Sequence, residues 1–398
     1  MHLINSNQYI SVKGLYRYVF LFLLLNLAFQ LHAATADSTN LERNLKFSIL
    51  GGPGYTPDYG FVIGGSMLFT FSTNKSDTAL KRSVIPVAFG YMFNGGGSAF
   101  IRPQLFFKHD RLRILGVISA NNTLENYYGV GYDVNASRGK SADTTQYRSI
   151  GFDFNPRILF RFRETDLFYG ASVSVTTTAM TEVAEGILQD DDYIAEGGDQ
   201  SGLKNFSVGF GINLSYDTRD VPANPYNGLL MESSATFYST SLGSTNNYEV
   251  YIFTYKQFQE LRFLGKRKVL AWMLDTRFST GDVPLTELSM LGSPFDLRGY
   301  YMGQFRDKHS LTLLAEYRHM FNFGDKTWMQ RIGSKLGFVV WGGFGTINPE
   351  FPLMNHFLPN YGLGLRIEVQ PRMNFRVDFG RDPINQQTLI YFNVTEAF

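Results

Sequence analysis

The sequence predicts an all-β chain: an antiparallel transmembrane β-barrel of the outer-membrane type, with about sixteen strands. Three observations predict it. Apolar residues recur at every second position along most of the chain. The apolar face is large and often aromatic in nearly every segment, with little sign of a second sheet or helices to cover it. Connections alternate between tight turns and long polar or Gly-rich loops, as expected of barrels that cross a membrane.

Composition agrees. The 398 residues include 16 % aromatics and 39 glycines, but only 18 % charged side chains. The net charge is +1 and the basic residues are scattered, so nothing points to nucleic acid or an anionic surface. Cysteine is absent, which removes thiol catalysis, disulfides and Cys-ligated metals together.

At the N-terminus, Lys13 and Arg17 precede an apolar stretch from Tyr18 to Phe29, and the small residues Ala33, Ala34 and Ala36 follow. That order is a secretory signal, so residues 1–36 are expected to be removed. Residues 37–45 then form a short lead-in, and 46–398 form the barrel without a second domain. The apolar stretch is shorter than the about 20 residues a membrane helix needs. No later run is long enough either, so the mature chain is soluble or crosses as strands.

The first strands are expected over 46–52 and 61–71, and the third, 83–93, sets Ile85, Val87, Phe89, Tyr91 and Phe93 on one face. Strands 98–107 and 111–119 flank the tight Lys108-His109-Asp110. Strand 149–162 opposes Ile150, Phe152, Phe154, Ile158 and Phe160 to Arg157 and Arg161. After 167–179 comes the clearest strand, 204–217: Phe206, Val208, Phe210, Ile212 and Leu214 face one way, and Ser207, Gly209, Gly211, Asn213 and Ser215 the other. Strands 228–240, 248–260, 268–279, 310–321 and 333–345 continue the pattern. Strand 361–370 alternates Leu363, Leu365, Ile367 and Val369 with Gly364, Arg366, Glu368 and Gln370. The last two are 373–380 and 387–398, with Ile390, Phe392, Val394 and Phe398 on one face, interrupted by Glu396.

A soluble antiparallel sheet also alternates. A sheet this wide would have edges to hide, however, and closure removes them while lipid accepts an apolar outside. The long connections 120–147, 180–203, 280–309 and 346–360 fall on one side of an even-stranded barrel whose two ends are both periplasmic.

Chemistry-bearing residues are sparse. His109, His309, His319 and His356 sit in no nucleophile constellation and no metal-ligand spacing. Asp190, Asp191 and Asp192 lack the spacing of a calcium loop and read as a solvated loop tip. No catalytic, cofactor or metal residues are expected. The inward arginines Arg102, Arg113, Arg157 and Arg161 either line a positive lumen or satisfy inward acids.

Several motifs, in order, resemble the Omp85 superfamily, the barrels of BamA, TamA and the two-partner secretion translocators. Asp217-Thr218-Arg219-Asp220, followed by Pro225 and Gly228, is similar to the family's turn into a strand. Gly292 to Tyr300, ending Arg298-Gly299-Tyr300, is similar to its R-G-F/Y loop, and Ala315-Glu316-Tyr317-Arg318 to the next strand. Tyr361 to Arg366, the ending Thr395 to Phe398, and more weakly Tyr55 to Gly60 extend the likeness over nearly the whole mature chain. Phe392, Val394 and the terminal Phe398 resemble the signal by which barrel precursors are recognised.

The resemblance implies that the loop after the eleventh strand folds back inside the barrel, where Arg298, Gly299 and Tyr300 dock and Arg298 meets Glu316. Where the family carries an acid in its strand-13 motif, this chain has Gly343 within Trp341 to Gly345. Arg298 is then left with Glu316 alone, or with Glu368 or Asp378 added. With residues 1–36 read as a signal and the barrel starting at 46, none of the family's POTRA domains is expected. The implied function is helping to insert, move or stabilise outer-membrane or exported proteins, in contact with outer-membrane lipid, client proteins and other assembly or export subunits. The working parts would be the Arg298 loop and the seam between first and last strands. The alternative is a passive pore or structural barrel that kept the fold without the activity.

Overall fold

The computed structural model describes residues 44–77, 80–350 and 355–398. The expected signal peptide and most of the lead-in lie outside the described residues. The chain opens with β1 (Lys46–Thr56), β2 (Gly60–Phe71), β3 (Ser83–Met92), β4 (Gly97–Ile101), β5 (Gln104–Phe107), β6 (Leu112–Asn126) and β7 (Gln146–Arg161). It continues with β8 (Leu167–Thr181), β9 (Leu203–Asp217), β10 (Gly228–Tyr238), β11 (Tyr248–Glu260) and β12 (Lys268–Gly281). After a small hairpin of β13 (Ser289–Leu291) and β14 (Phe305–Asp307) come β15 (His309–Met320) and β16 (Leu336–Asn348). β17 (Leu358–Gln370), β18 (Met373–Asp382) and β19 (Gln387–Val394) complete it.

The main sheet holds 17 strands, each antiparallel to the strands it pairs with. β4 and β5 are halves of one stave, broken at Arg102-Pro103 because proline has no N–H to give the ladder, so the sheet has sixteen staves. It curls until its ends meet: the rings of Tyr55 in β1 and Phe392 in β19 lie 6.5 Å apart. The result is a barrel.

The barrel is inside-out relative to a soluble protein. Along β9, Asn205, Ser207, Asn213 and Ser215 are buried, whereas Phe206, Phe210, Ile212 and Leu214 are exposed. The same inversion runs through β7, where Ile150, Phe152, Phe154, Ile158 and Phe160 face out. An apolar belt of this size is stable only against hydrocarbon.

Three boundaries differ from the sequence reading by more than three residues. β1 reaches Thr56 rather than 52, and β6 reaches Asn126 rather than 119. Beyond Ser119 both faces of β6 are mostly polar, so the alternation disappears although the ladder with β7 persists to Asn126 and Gln146. The larger correction is at the end. The last strand stops at Val394, not at Phe398: Thr395 adopts φ 74°, and Glu396 turns inward to Arg366. Phe398 therefore leaves the outer face that Val394 occupies and packs inside, its ring 6.3 Å from that of Phe258.

At the rim away from the chain ends, the long loops interlock. Tyr127, Ile187, Tyr193, Val283, Leu285 and Leu288 form one apolar cluster across the mouth with inner-wall residues of β7 to β11. Arg306 N–H donates to Asn135 Oδ1 at 2.8 Å and Met302 N–H to Asp58 Oδ1 at 2.8 Å, joining the β12–β15 loop to two other connections.

Candidate functional site: the folded-in loop and the strand seam

The loop between β12 and β15 runs from Asp282 to Lys308 and dips into the lumen beyond its β13–β14 hairpin. Its apolar residues Leu291, Leu297, Tyr300 and Phe305 pack on Met273, Leu314, Ile347 and Leu358 of the inner wall. This sector of the barrel interior is a core, not a wet channel.

Arg298, with no exposed surface, sits at the loop's tip. One Nη donates to Glu316 of β15, the other to Asp378 of β18 at 3.0 Å. Its guanidinium plane stacks on Trp341 of β16, 3.7 Å from the ring centre. The carboxylates are shared: Glu316 also takes Arg318 at 3.0 Å, and Asp378 takes Arg366 at 2.6 Å and Arg376 at 2.5 Å. Glu396 closes the network on Arg366 at 2.9 Å. Four guanidiniums thus share three carboxylates, in a setting where a charge-assisted pair is strong and an unpaired charge is costly.

The backbone around Arg298 is held as tightly. Tyr391 of β19 uses one hydroxyl twice, accepting from Gly299 N–H at 3.0 Å and donating to the Tyr300 carbonyl at 3.0 Å. Asn360 donates to the Arg298 carbonyl at 3.0 Å, and Tyr300 donates to the Pro359 carbonyl at 2.8 Å. Gly299 has φ 119°, and a Cβ there would lie 2.6 Å from the Arg381 carbonyl carbon. Only glycine lets loop and wall approach this closely.

The structure brings Arg298 to Glu316 and Asp378 but not to Glu368, which binds Arg267 at 2.7 Å on the rim. Gly343 has no space for an acid: a Cβ would meet the Leu313 carbonyl oxygen at 2.1 Å. Trp341 two residues earlier supplies an aromatic face to the same guanidinium.

The motif turn is a self-contained unit at the chain-end rim. Arg219 chelates Asp217 through Nε at 2.9 Å and Nη2 at 3.0 Å. Pro225 is buried and Gly228 starts β10 at φ 102°. Arg372 reaches this turn from the β17–β18 connection, bonding Asp220 at 2.9 Å and stacking on Tyr226. Elsewhere the inward arginines are paired: Arg113 and Arg161 with Asp110, and Arg157 with Glu232 at 3.2 Å. Arg102 is exposed and lies over the Phe100 ring. Of the two readings of these arginines, pairing with inward acids holds for those three.

The second feature is the seam. Every other pair of neighbouring staves shares a hydrogen-bonded ladder, but among the described residues no ladder joins β1 to β19. The two strands lie side by side through side chains such as Tyr55 and Phe392.

The family model of the Omp85 superfamily domain matches residues 90–394. The chain belongs to the Omp85 superfamily. Its fold is similar to solved members at low identity. BamA from Haemophilus ducreyi lacking POTRA domains 1–3 is 13 % identical, with a TM-score of 0.59. CdiB from Acinetobacter baumannii is 12 % identical with a TM-score of 0.51, and CdiB from Escherichia coli 12 % with 0.55. The likeness covers 89 % of this chain in each case, and 70 %, 60 % and 63 % of those chains respectively. No curated protein sequence matches this one.

Within this Omp85 barrel, sequence reasoning reached Arg298, Glu316 and, as an option, Asp378. It missed Tyr391, Trp341, Asn360 and Arg376. A signal existed for the first two: each is a large aromatic at an inward position of its strand.

Proposed function

We propose that this chain is an outer-membrane barrel that inserts or translocates other proteins, with its chain-end rim in the periplasm and clients engaging the seam between β1 and β19. The observation that carries the reading is the unladdered seam. An exposed strand edge offers unpaired N–H and C=O groups to an incoming strand, which is how β-augmentation recruits extended peptides. The locked loop supports the same reading from inside. The Arg298 network and the Tyr391 hydroxyl tie β15, β18 and β19 to the loop, so one side of the seam stays rigid while β1, with no ladder to β19, can part from it. Membership of the Omp85 superfamily is consistent with insertion or translocation in general. A passive pore fits less well, because the loops interlock across one mouth.

The chain has no cysteine, so the test is direct. Tyr55→Cys and Phe392→Cys, whose parent rings are 6.5 Å apart, are bridged with a short bis-thiol reagent in liposomes. Insertion of an unfolded outer-membrane barrel, and passage of an exported β-rich chain, are then followed. Loss of either on bridging and recovery on cleaving the bridge is expected. Undiminished transport with the seam bridged would refute the reading.

A further inference from the structure

Two adjacent turns at the chain-end rim carry apolar side chains that nothing in the barrel covers. Phe263 of the β11–β12 turn is 82 % exposed, and Leu264 beside it is exposed too. The β15–β16 connection holds a one-turn helix, Trp328–Gly333, with Trp328 65 % exposed and Met329 and Ile332 alongside. The helix is built to stay put. Thr327 and Gln330 form a reciprocal capping box, and Ser334 Oγ accepts from Phe323 N–H at 2.9 Å and donates to the Gly324 carbonyl at 3.1 Å. Arg267 fastens one turn to the other, donating to the Ser334 carbonyl at 2.6 Å. Rigid display of apolar surface costs solvation, so it marks a contact.

We propose that these two turns are a foot that seats the barrel in the interfacial region of an anionic phospholipid leaflet. Continuity identifies the occupant. The rings of His319 and Phe338 on the outer face stack at 4.8 Å, His319 meets Phe321 at 5.1 Å, and Phe321 stacks on Phe323 at 5.3 Å. This aromatic ladder runs from the lipid belt to the helix, against whose Gly333 Phe323 packs. Aromatic residues at that depth are characteristic of membrane–water interfaces. Charge agrees as well. Arg262, Lys266, Lys326, Arg331 and Lys335 flank the apolar residues, against the carboxylates Glu260 and Asp325. A basic rim around an apolar face is the composition that binds anionic headgroups. The proposal rests on the outer face being in lipid.

Nitroxide labels are placed singly at Met329→Cys, Ile332→Cys and Lys326→Cys in the full chain, with Phe210→Cys as a marker of the barrel's outer belt. The protein is reconstituted in vesicles of phosphatidylethanolamine and phosphatidylglycerol. Relaxation by oxygen, which partitions into lipid, is compared with relaxation by a water-soluble nickel chelate. The oxygen-to-nickel ratio is expected to be several-fold higher at 329 and 332 than at 326. The Arg331→Glu/Lys335→Glu pair should lower the ratio at Met329→Cys in these vesicles and not in purely zwitterionic ones. Nickel-favoured labels at 329 and 332, with an oxygen-favoured label at 210, would overturn the foot while leaving the barrel in lipid. Nickel-favoured labels at all positions would overturn both. Labels that are wet in vesicles but shielded in native membranes would show a protein partner instead.

Discussion

Asp378, rather than Arg298, should be the most sensitive residue of the buried network. Asp378 accepts from three guanidiniums, those of Arg298, Arg366 and Arg376. Asp378→Asn keeps the shape, removes the charge and aims an amide N–H at one of the three cations. Breaking one buried pair by removing a partner costs about 3–5 kcal/mol. The three pairs share one carboxylate and do not add, so the expected loss lies near the top of that range, about 5 kcal/mol. Arg298→Ala is milder. Glu316 keeps Arg318 at 3.0 Å and Asp378 keeps Arg366 and Arg376, so neither acid is stranded. Its expected cost is about 3 kcal/mol. A difference of about 2 kcal/mol is roughly 30-fold in the folding equilibrium, ample for urea titration in detergent micelles monitored by heat-modifiable gel mobility. Arg298→Lys should fall between wild type and Arg298→Ala, because one ammonium cannot span both carboxylates or stack flat on Trp341. If Asp378→Asn unfolds at the wild-type urea concentration, or proves gentler than Arg298→Ala, the network reasoning fails.

Other perturbations address the loop's backbone and its pH response. Gly299→Ala places a Cβ at φ 119° within 2.6 Å of backbone, so proteolysis of the loop between Leu291 and Phe305 should rise sharply. Tyr391→Phe strands the Gly299 N–H and should cost about 1–3 kcal/mol in the same urea titration; no change would mean that another group satisfies that donor. Burial pushes the Glu287 carboxyl up to about 7 and that of Asp307, also in the loop, up to about 6. An acid raised on folding holds its proton longer in the docked state, so docking weakens as pH rises through the window from the ordinary carboxylate value to about 7. A spin label at Met290→Cys should therefore be more mobile at mildly alkaline than at mildly acidic pH, and Glu287→Gln should flatten that dependence.

How legible the barrel was depends on which face carried information. Where one face is wholly apolar and the other small or polar, as in Phe206 to Leu214, the period of two gave strand, face and extent. Beyond Ser119 that contrast fades, and β6 continues unseen because backbone pairing does not need it. The ending misled for a physical reason: Phe392 and Val394 obey the alternation, and Phe398 would too if the strand continued. Burial of Glu396 against Arg366 and the positive φ of Thr395 end it first. In the loop, the Arg298–Glu316 pair followed from the family resemblance and the parity of β15. Asp378 was open among alternatives because nothing in a linear sequence says which inward acid lies opposite a loop tip eighty residues earlier. The basic, aromatic foot was invisible as charge, since its cations are spread over two turns and the chain as a whole carries +1.

Amide hydrogen exchange of the barrel in lipid, read strand by strand, tests the seam most directly. The facing amides of β1 and β19 should exchange far sooner than those of paired inner staves such as β7 and β8, because no partner holds them. Protection of Lys46–Thr56 and Gln387–Val394 equal to that of the inner staves would mean a continuous ladder around the barrel, and an unladdered seam could not be the place where clients enter.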